Sequence, residues 1–227
     1  MTERLNLVTG ALGFTGSHVV RLLLERGERV VGTDLGAWVE SSDFRATAER
    51  CGLDLDLANL VLVPSDLLVP ESLTRLFDRP ITRLFHTASL YDYSASLERL
   101  RRINVEGTKH LLEAARSVPL ERFVHWSTCG VFGKPYTAAD GAKVNLPFDE
   151  ASSSPKNTPA EADGPAGTHL VNAYSISKWE QEKLLWAMHR DEGLPLTVVR
   201  PAPIYGPGSS YGHGGIILVI AMGLVPA

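Results

Sequence analysis

The sequence predicts a doubly wound parallel α/β sheet, and three observations carry that prediction. Short apolar, β-branched runs alternate with helical patterns along the chain, as expected of parallel strands joined by crossover helices. The first run leads into Gly10-x-x-Gly13-x-x-Gly16, with a helical pattern behind it. The second run ends on an acidic residue, Asp34. Right-handed crossovers wind such units into an open sheet covered on both faces, with ligands at the carboxyl ends of the strands.

The strands are expected at residues 5–9, 29–33, 60–63, 84–86, 123–127 and 197–199. Each is a short run rich in Val, Leu, Phe or Thr. Helices are expected at 14–26, 71–77, 97–116, 174–190 and roughly 215–222, with Gly27 placed to cap the first. Residues 134–169 break the alternation. They are rich in Pro, Gly, Ala, Ser and Asp, which predicts an irregular loop. Two readings fit that loop: a rim or lid over substrate, or a surface insertion.

The gross numbers exclude several classes. The chain has 227 residues, a net charge of −4 and no basic cluster, which argues against a nucleic-acid partner. Its N-terminus has no leader pattern, and the longest apolar run, residues 216–224, is too short to span a bilayer. Cys51 and Cys129 lack metal-ligand spacing and suggest reduced thiols, hence a cytoplasmic protein. His86, His125 and His213 likewise lack metal spacing, so no metal site is expected.

Three groups carry candidate chemistry. A glycine-rich turn between a strand and a helix N-terminus lets backbone approach a diphosphate, whose charge the helix end favours. Its spacing differs from the usual G-x-G-x-x-G. Asp34, 18 residues past Gly16, is placed to accept both hydroxyls of an adenosine ribose and to repel a 2′-phosphate. That favours NAD over NADP. Tyr174 and Lys178 lie four apart in a helical pattern and so share one face. An ammonium beside a phenol favours phenolate, which predicts a lowered Tyr174 pKa and a proton-transfer role.

Taken together, the motifs resemble the extended short-chain dehydrogenase/reductases, the group of NAD-dependent epimerases, dehydratases and 3β-hydroxysteroid dehydrogenases. The matching pieces are Thr9-Gly-Ala-Leu-Gly-Phe-Thr-Gly16, Asp34, Ser65-Asp-Leu67, Phe85-His-Thr-Ala-Ser89, Asn104-Val-Glu-Gly-Thr108, Trp126-Ser-Thr128, Val131-Phe-Gly133, Tyr174-Ser-Ile-Ser-Lys178 and Arg200-Pro-Ala-Pro-Ile-Tyr-Gly-Pro207. The resemblance implies a Rossmann-type cofactor domain over residues 1–207. It makes 208–227 the start of a smaller substrate portion, most of which is absent.

It also implies roles. Tyr174, Lys178, Thr128 and Asn104 form the catalytic set. Thr128 holds the substrate oxygen with Ser127 as its neighbour, and Asn104 binds a water behind the lysine. Gly10, Gly13, Phe14, Gly16, Asp34, Asp66, Leu67, Thr87, Ala88, Ser89, Lys178, Pro201 and Ile204 form the cofactor set. For Asp66 a helix N-cap is an equal alternative. For Asn104 an exposed position is the alternative.

Two departures from the family pattern narrow the substrate. Dehydratases of the group place Asp-Glu after the catalytic Thr; here those positions are Cys129 and Gly130. Many nucleotide-sugar enzymes place an Asn where this chain has Pro203. The form Ala88-Ser-Leu-Tyr-Asp-Tyr-Ser looks closer to 3β-hydroxysteroid dehydrogenases and dihydroflavonol-type reductases, which act on apolar, ring-bearing alcohols or ketones. Tyr91 and Tyr93 are then either the wall of an apolar cleft or ordinary loop tyrosines. The resulting expectation is hydride transfer between NAD and a secondary alcohol or ketone. A nucleotide-sugar epimerase and a non-catalytic dinucleotide-binding module are the alternatives. A homodimer through the 97–116 and 174–190 helices is implied by the resemblance.

Overall fold

The computed structural model describes residues 4–132, 170 and 172–209. The 134–169 loop, the 215–222 helix and His213 lie outside them. Six strands form one sheet in the order β3-β2-β1-β4-β5-β6. They are β1 (Leu5–Thr9), β2 (Arg29–Asp34), β3 (Leu60–Pro64), β4 (Arg83–His86), β5 (Arg122–Trp126) and β6 (Leu196–Val199). Every pairing is parallel. The order reverses at β1, whose neighbours are β2 on one side and β4 on the other, so the switch point of the doubly wound sheet lies at the glycine-rich turn.

β1 is buried along its whole length, as a central parallel strand must be when helices cover both faces. Its alternate residues feed two cores. Leu5 and Leu7 join Val31, Leu84, Leu111, Phe123 and Leu185 on one face. Val8 joins Val20, Leu23, Leu24, Val30 and Leu60 on the other. The period-two alternation of a strand separates the sets.

Helix α1 (Phe14–Glu25) buries Gly16, Ser17, Val20, Leu23 and Leu24, and Gly27, at φ +72°, ends it. The Gly27 N–H reaches the Leu24 carbonyl at 2.8 Å, which closes the last turn. Two helices after β2 were not foreseen from the sequence, α2 (Gly36–Val39) and α3 (Ser42–Arg50). Trp38 stacks on Phe44 with ring centroids 4.0 Å apart and locks the pair together. The expected 71–77 helix is the shorter α4 (Pro70–Thr74).

The expected 97–116 helix is continuous in path but not in pitch. It runs as α5 (Leu97–Leu100), a π-helical stretch Arg101–Glu106, and α6 (Gly107–Ala115). α7 (Ala173–Glu192) starts at Asn172, whose side chain accepts from Ser175 N at 2.8 Å, and ends at Gly193 with φ +74°. Both ends follow ordinary capping chemistry. Among the described residues no helix is long and apolar enough to cross a membrane.

Candidate active site

The glycine-rich turn leaves β1 at Gly10, which adopts φ +67°, a conformation that favours glycine. A Cβ on Gly10 would lie 2.9 Å from Ala88 backbone, and one on Gly16 would lie 1.9 Å from the Gly10 carbonyl oxygen. Side chains are therefore excluded at both positions. Gly13 is the extended N-cap of α1, and Phe14 is the first residue of that helix. The cradle left by these glycines, with free N–H groups at the start of α1, suits the close approach of a diphosphate.

Asp34 ends β2 beside this turn. Its Oδ2 accepts from Leu12 N and its Oδ1 from Leu35 N, each at 3.0 Å. Burial raises its pKa and the two backbone hydrogen bonds oppose that rise. The carboxylate is thus oriented by the turn itself.

Thr87, Ala88 and Ser89 follow β4. Thr87 Oγ1 donates to the Thr9 carbonyl at 2.6 Å, and Ala88 N donates to Thr9 Oγ1 at 3.3 Å, so this segment is laced to the end of β1. Asp66 Oδ1 accepts from Leu68 N at 2.8 Å, closing a local turn. It is not a helix N-cap, because α4 has Val69 in that place. Leu67 packs on Gly107, where a Cβ would come within 2.8 Å of its side chain.

Tyr174 and Lys178 lie on the buried face of α7, 7% and 1% exposed. Lys178 Nζ donates to Gln181 Oε1 at 2.6 Å and to Ser89 Oγ at 3.5 Å. Burial lowers the Lys178 pKa to about 7, against a smaller opposing pull from Glu182. The phenol behaves opposite to the expectation from sequence. Burial, then the nearby Tyr93, Tyr91 and Cys129, raise the Tyr174 pKa. The Tyr174 ring is covered edge-on by Tyr91 and Tyr93, with centroids 5.0 and 5.5 Å away. Those two rings meet each other at 5.2 Å and remain exposed on their outer sides. Tyr93 itself is pushed up to about 12, first by burial and then by Tyr91.

Thr128 lies just past β5. Its Oγ1 accepts from Gly130 N at 3.1 Å. Gly130 in turn lies against Ser175, the neighbour of Tyr174: a Cβ on Gly130 would come within 2.6 Å of Ser175 Oγ. The Thr128 turn and the Tyr174 turn therefore pack together. Ser127 is buried, and its N–H is used by the Val199 carbonyl at 2.8 Å. Pro201 accepts from Cys129 N at 3.0 Å, while Ile204 is 44% exposed.

Asn104 is fully buried in the π-helical stretch, not exposed. Its Oδ1 accepts from Leu90 N at 2.7 Å, and its Nδ2 donates to Ser177 Oγ at 3.0 Å and to the Leu90 carbonyl at 3.3 Å. Its amide thus holds the loop that carries Tyr91 and Tyr93 against α7.

Sequence reasoning missed the layer beneath the lysine. His86, Thr108 and Gln181 are all buried there, next to His125 on β5. The His86 and His125 rings lie 5.6 Å apart. Burial and the charge of Lys178 lower the His86 pKa to about 3 and that of His125 well below its usual value. The available signal was spacing: Gln181 follows Lys178 by three residues and Glu182 by four, on one helix face. Glu182 is fully buried and takes the Arg200 guanidinium as a fork, Nη2 to Oε2 at 2.6 Å and Nε to Oε1 at 3.0 Å. No group of three or more metal-ligating side chains occurs among the described residues.

Residues 6–222 match the NAD dependent epimerase/dehydratase family. The chain belongs to that family. It is 30% identical over 203 residues to sterol demethylase protein B of Methylococcus capsulatus, covering 88% of this chain and 52% of that protein. The structure of a UDP-glucose 4-epimerase with UDP-glucose from Thermotoga maritima is 26% identical, with a TM-score of 0.71 over 95% of this chain and 61% of the other. That of a Thermus thermophilus UDP-glucose 4-epimerase complex with NAD is 25% identical, also with a TM-score of 0.71, over 98% of this chain and 64% of the other. The chain thus spans between half and two thirds of the length of these relatives.

Proposed function

We propose that this chain is the cofactor-binding and catalytic part of an NAD-dependent oxidoreductase acting on a secondary alcohol or ketone. The observation that carries the reading is the convergence of Tyr174 and Lys178 on one buried face of α7, with Lys178 hydrogen-bonded to the Ser89 segment that is laced to the glycine-rich turn. The residues present fit the dinucleotide. Gly10 and Gly16 leave the diphosphate cradle open, the Asp34 carboxylate suits ribose hydroxyls, and Lys178 lies where it would reach the nicotinamide ribose. Phe14, Thr87, Ala88, Pro201 and Ile204 complete the contact set we assign, with Asp66 and Leu67 on the adenine side.

Bound NAD supplies the hydride acceptor or donor. The chain supplies alignment and proton control. Tyr174 exchanges a proton with the substrate oxygen, and Thr128 hydrogen-bonds the same oxygen. Because Tyr174 is buried, its phenol keeps its proton, the form that donates to a carbonyl oxygen. Lys178 in its ammonium form would draw the phenol toward phenolate, the form that accepts from an alcohol. Tyr91 and Tyr93 flank the phenol with apolar ring surface, which favours a ring-bearing substrate. A relative named for sterol demethylation supports the same substrate class. Residues from 208 onward would begin the remainder of the substrate wall.

A second reading has support in the two UDP-glucose 4-epimerase structures. There the hydride would return to the same carbon on the other face, with no net change in the cofactor. Pro203 and the tyrosine pair weigh against it. Cys129 and Gly130 offer no acid–base pair for dehydration. The deciding measurement is absorbance of NADH with candidate alcohols and ketones. Net NADH change supports the oxidoreductase, and interconversion without it supports the epimerase. NAD binding with neither activity supports a non-catalytic module. Tyr174→Phe is expected to abolish turnover while leaving NAD affinity within about threefold, because one hydroxyl is lost and the cradle is untouched. Near-normal turnover in that variant removes Tyr174 from the mechanism.

A further inference from the structure

Behind Lys178 runs a line of buried polar side chains that the proton-transfer scheme does not use. Gln181 accepts from Lys178 Nζ through Oε1 at 2.6 Å and donates from Nε2 to Thr108 Oγ1 at 2.6 Å. Thr108 Oγ1 donates its single proton to the Asn104 carbonyl at 2.6 Å. It can therefore only accept at His86 Nε2, 2.9 Å away. That makes His86 the Nε2–H tautomer, so its Nδ1 accepts from Thr9 Oγ1 at 2.8 Å. The 3.2 Å approach of Gln181 Nε2 to His86 Nε2 is then a packing contact. Donor directions agree along the whole line, and they fix the Gln181 amide. Turned over, its NH2 would face an ammonium that has nothing to accept with.

We propose that Gln181 is a positioning residue for the Tyr174–Lys178 reaction: its amide holds the lysine nitrogen and ties it, through Thr108 and His86, to Thr9 at the root of the glycine-rich turn. This rests on reading Tyr174 and Lys178 as the proton-transfer pair. An amine in a dry pocket needs an acceptor to stay charged and stay placed. The groups that face Lys178 are Glu182 on its own helix, where Tyr174 lies one turn earlier, His86 from β4, Ser89 from the loop after β4, and His125 from β5. Both imidazoles are neutral, and Glu182 is held by Arg200. Gln181 makes the shorter of the two hydrogen bonds to Nζ. Being neutral, it holds the nitrogen without fixing the proton as a carboxylate there would.

The test is an NMR titration of the chain labelled with 13Cε-lysine. The sequence has six lysines, and the Lys178 signal is the one lost in Lys178→Arg. Gln181→Met keeps the length and removes the acceptor. It is expected to lower the Lys178 midpoint by about one pH unit, the worth of one charge-assisted hydrogen bond. Gln181→Glu keeps the acceptor, adds charge and is expected to raise the midpoint by at least about as much. The pH midpoint of NAD-coupled turnover should move in the same order. Lost packing alone would not drive the two variants in opposite directions. Unchanged midpoints in folded variants overturn the proposal. If Gln181→Met does not fold, Gln181→Glu decides by an upward displacement or its absence. The titration needs neither NAD nor substrate, so displaced midpoints without NADH production would uphold the hold of Gln181 on the lysine and reject the redox reading instead.

Discussion

Lys178 is costly to bury and cheap to recognise. Its position in the sequence, four residues after Tyr174, pointed to it as a candidate, as the glycine spacing did for Gly10 and Gly16, where a side chain has no room. What the spacing did not reveal was the state of the pair. The rise in the Tyr174 pKa comes first from burial and then from Tyr93, Tyr91 and Cys129, which belong to other segments and meet only in the folded chain. For Lys178 the sign of the stability effect follows from its value of about 7 in the folded chain against 10.5 unfolded. Below pH 7 both states are protonated and the full cost of the buried charge is present. Between pH 7 and 10.5 the unfolded chain holds the proton that the folded chain has lost, so stability rises with pH. Lys178→Met is therefore expected to stabilise the fold at pH 6 by roughly 1–4 kcal/mol while abolishing activity. Urea unfolding at several pH values checks this: the advantage should shrink as pH climbs from 7 toward 10.5, and an advantage independent of pH would refute it.

At the level of elements, α7 is the organiser. It caps itself with Asn172, carries the proposed Tyr174–Lys178 pair, and grips the end of β6 through Glu182 and Arg200. Arg200→Met leaves the buried Glu182 carboxylate without its guanidinium, which is expected to cost about 3–5 kcal/mol. Adding Glu182→Gln should recover part of that loss, and additive losses in a double-mutant cycle would argue against coupling. The π-helical stretch was not legible. Apolar periodicity over 97–116 looks the same for a continuous α-helix, and the one hint was an Asn in mid-helix. Its purpose is seen only in the partners of Asn104, which are the Leu90 backbone and Ser177. Asn104→Leu should strand the Leu90 N–H at a cost of about 1–3 kcal/mol. Hydrogen exchange at that amide is the readout, and unchanged protection would contradict the assignment.

Across the molecule, the sheet was legible because each strand carries a short apolar, β-branched run, continuous in the buried central strand β1; all six expected strands are present within a few residues. α2 and α3 were not, since 36–50 is a polar stretch whose few apolar residues find partners through tertiary packing. The candidate site was legible where a motif followed a strand or where Tyr174 and Lys178 shared a helix face, and illegible where residues from different crossovers meet beneath Lys178. The helices α5, α6 and α7 lie side by side, bridged by Arg101–Glu180 and Arg116–Glu192 contacts of 2.5 Å. We expect two copies to join through these helices as a four-helix contact. Equilibrium sedimentation should give twice the chain mass, and a single-chain mass at all concentrations would refute it.

The path after β6 has a mechanical consequence. The chain doubles back to the first two crossovers, where the Pro207 carbonyl lies 3.1 Å from His18 Nε2 in α1 and a Cβ on Gly208 would lie 2.3 Å from Cys51 Sγ after α3. Gly206 passes near the tip of the Phe14 ring. A displacement at residue 208 is therefore expected to reach Phe14, at the start of α1, without crossing the sheet.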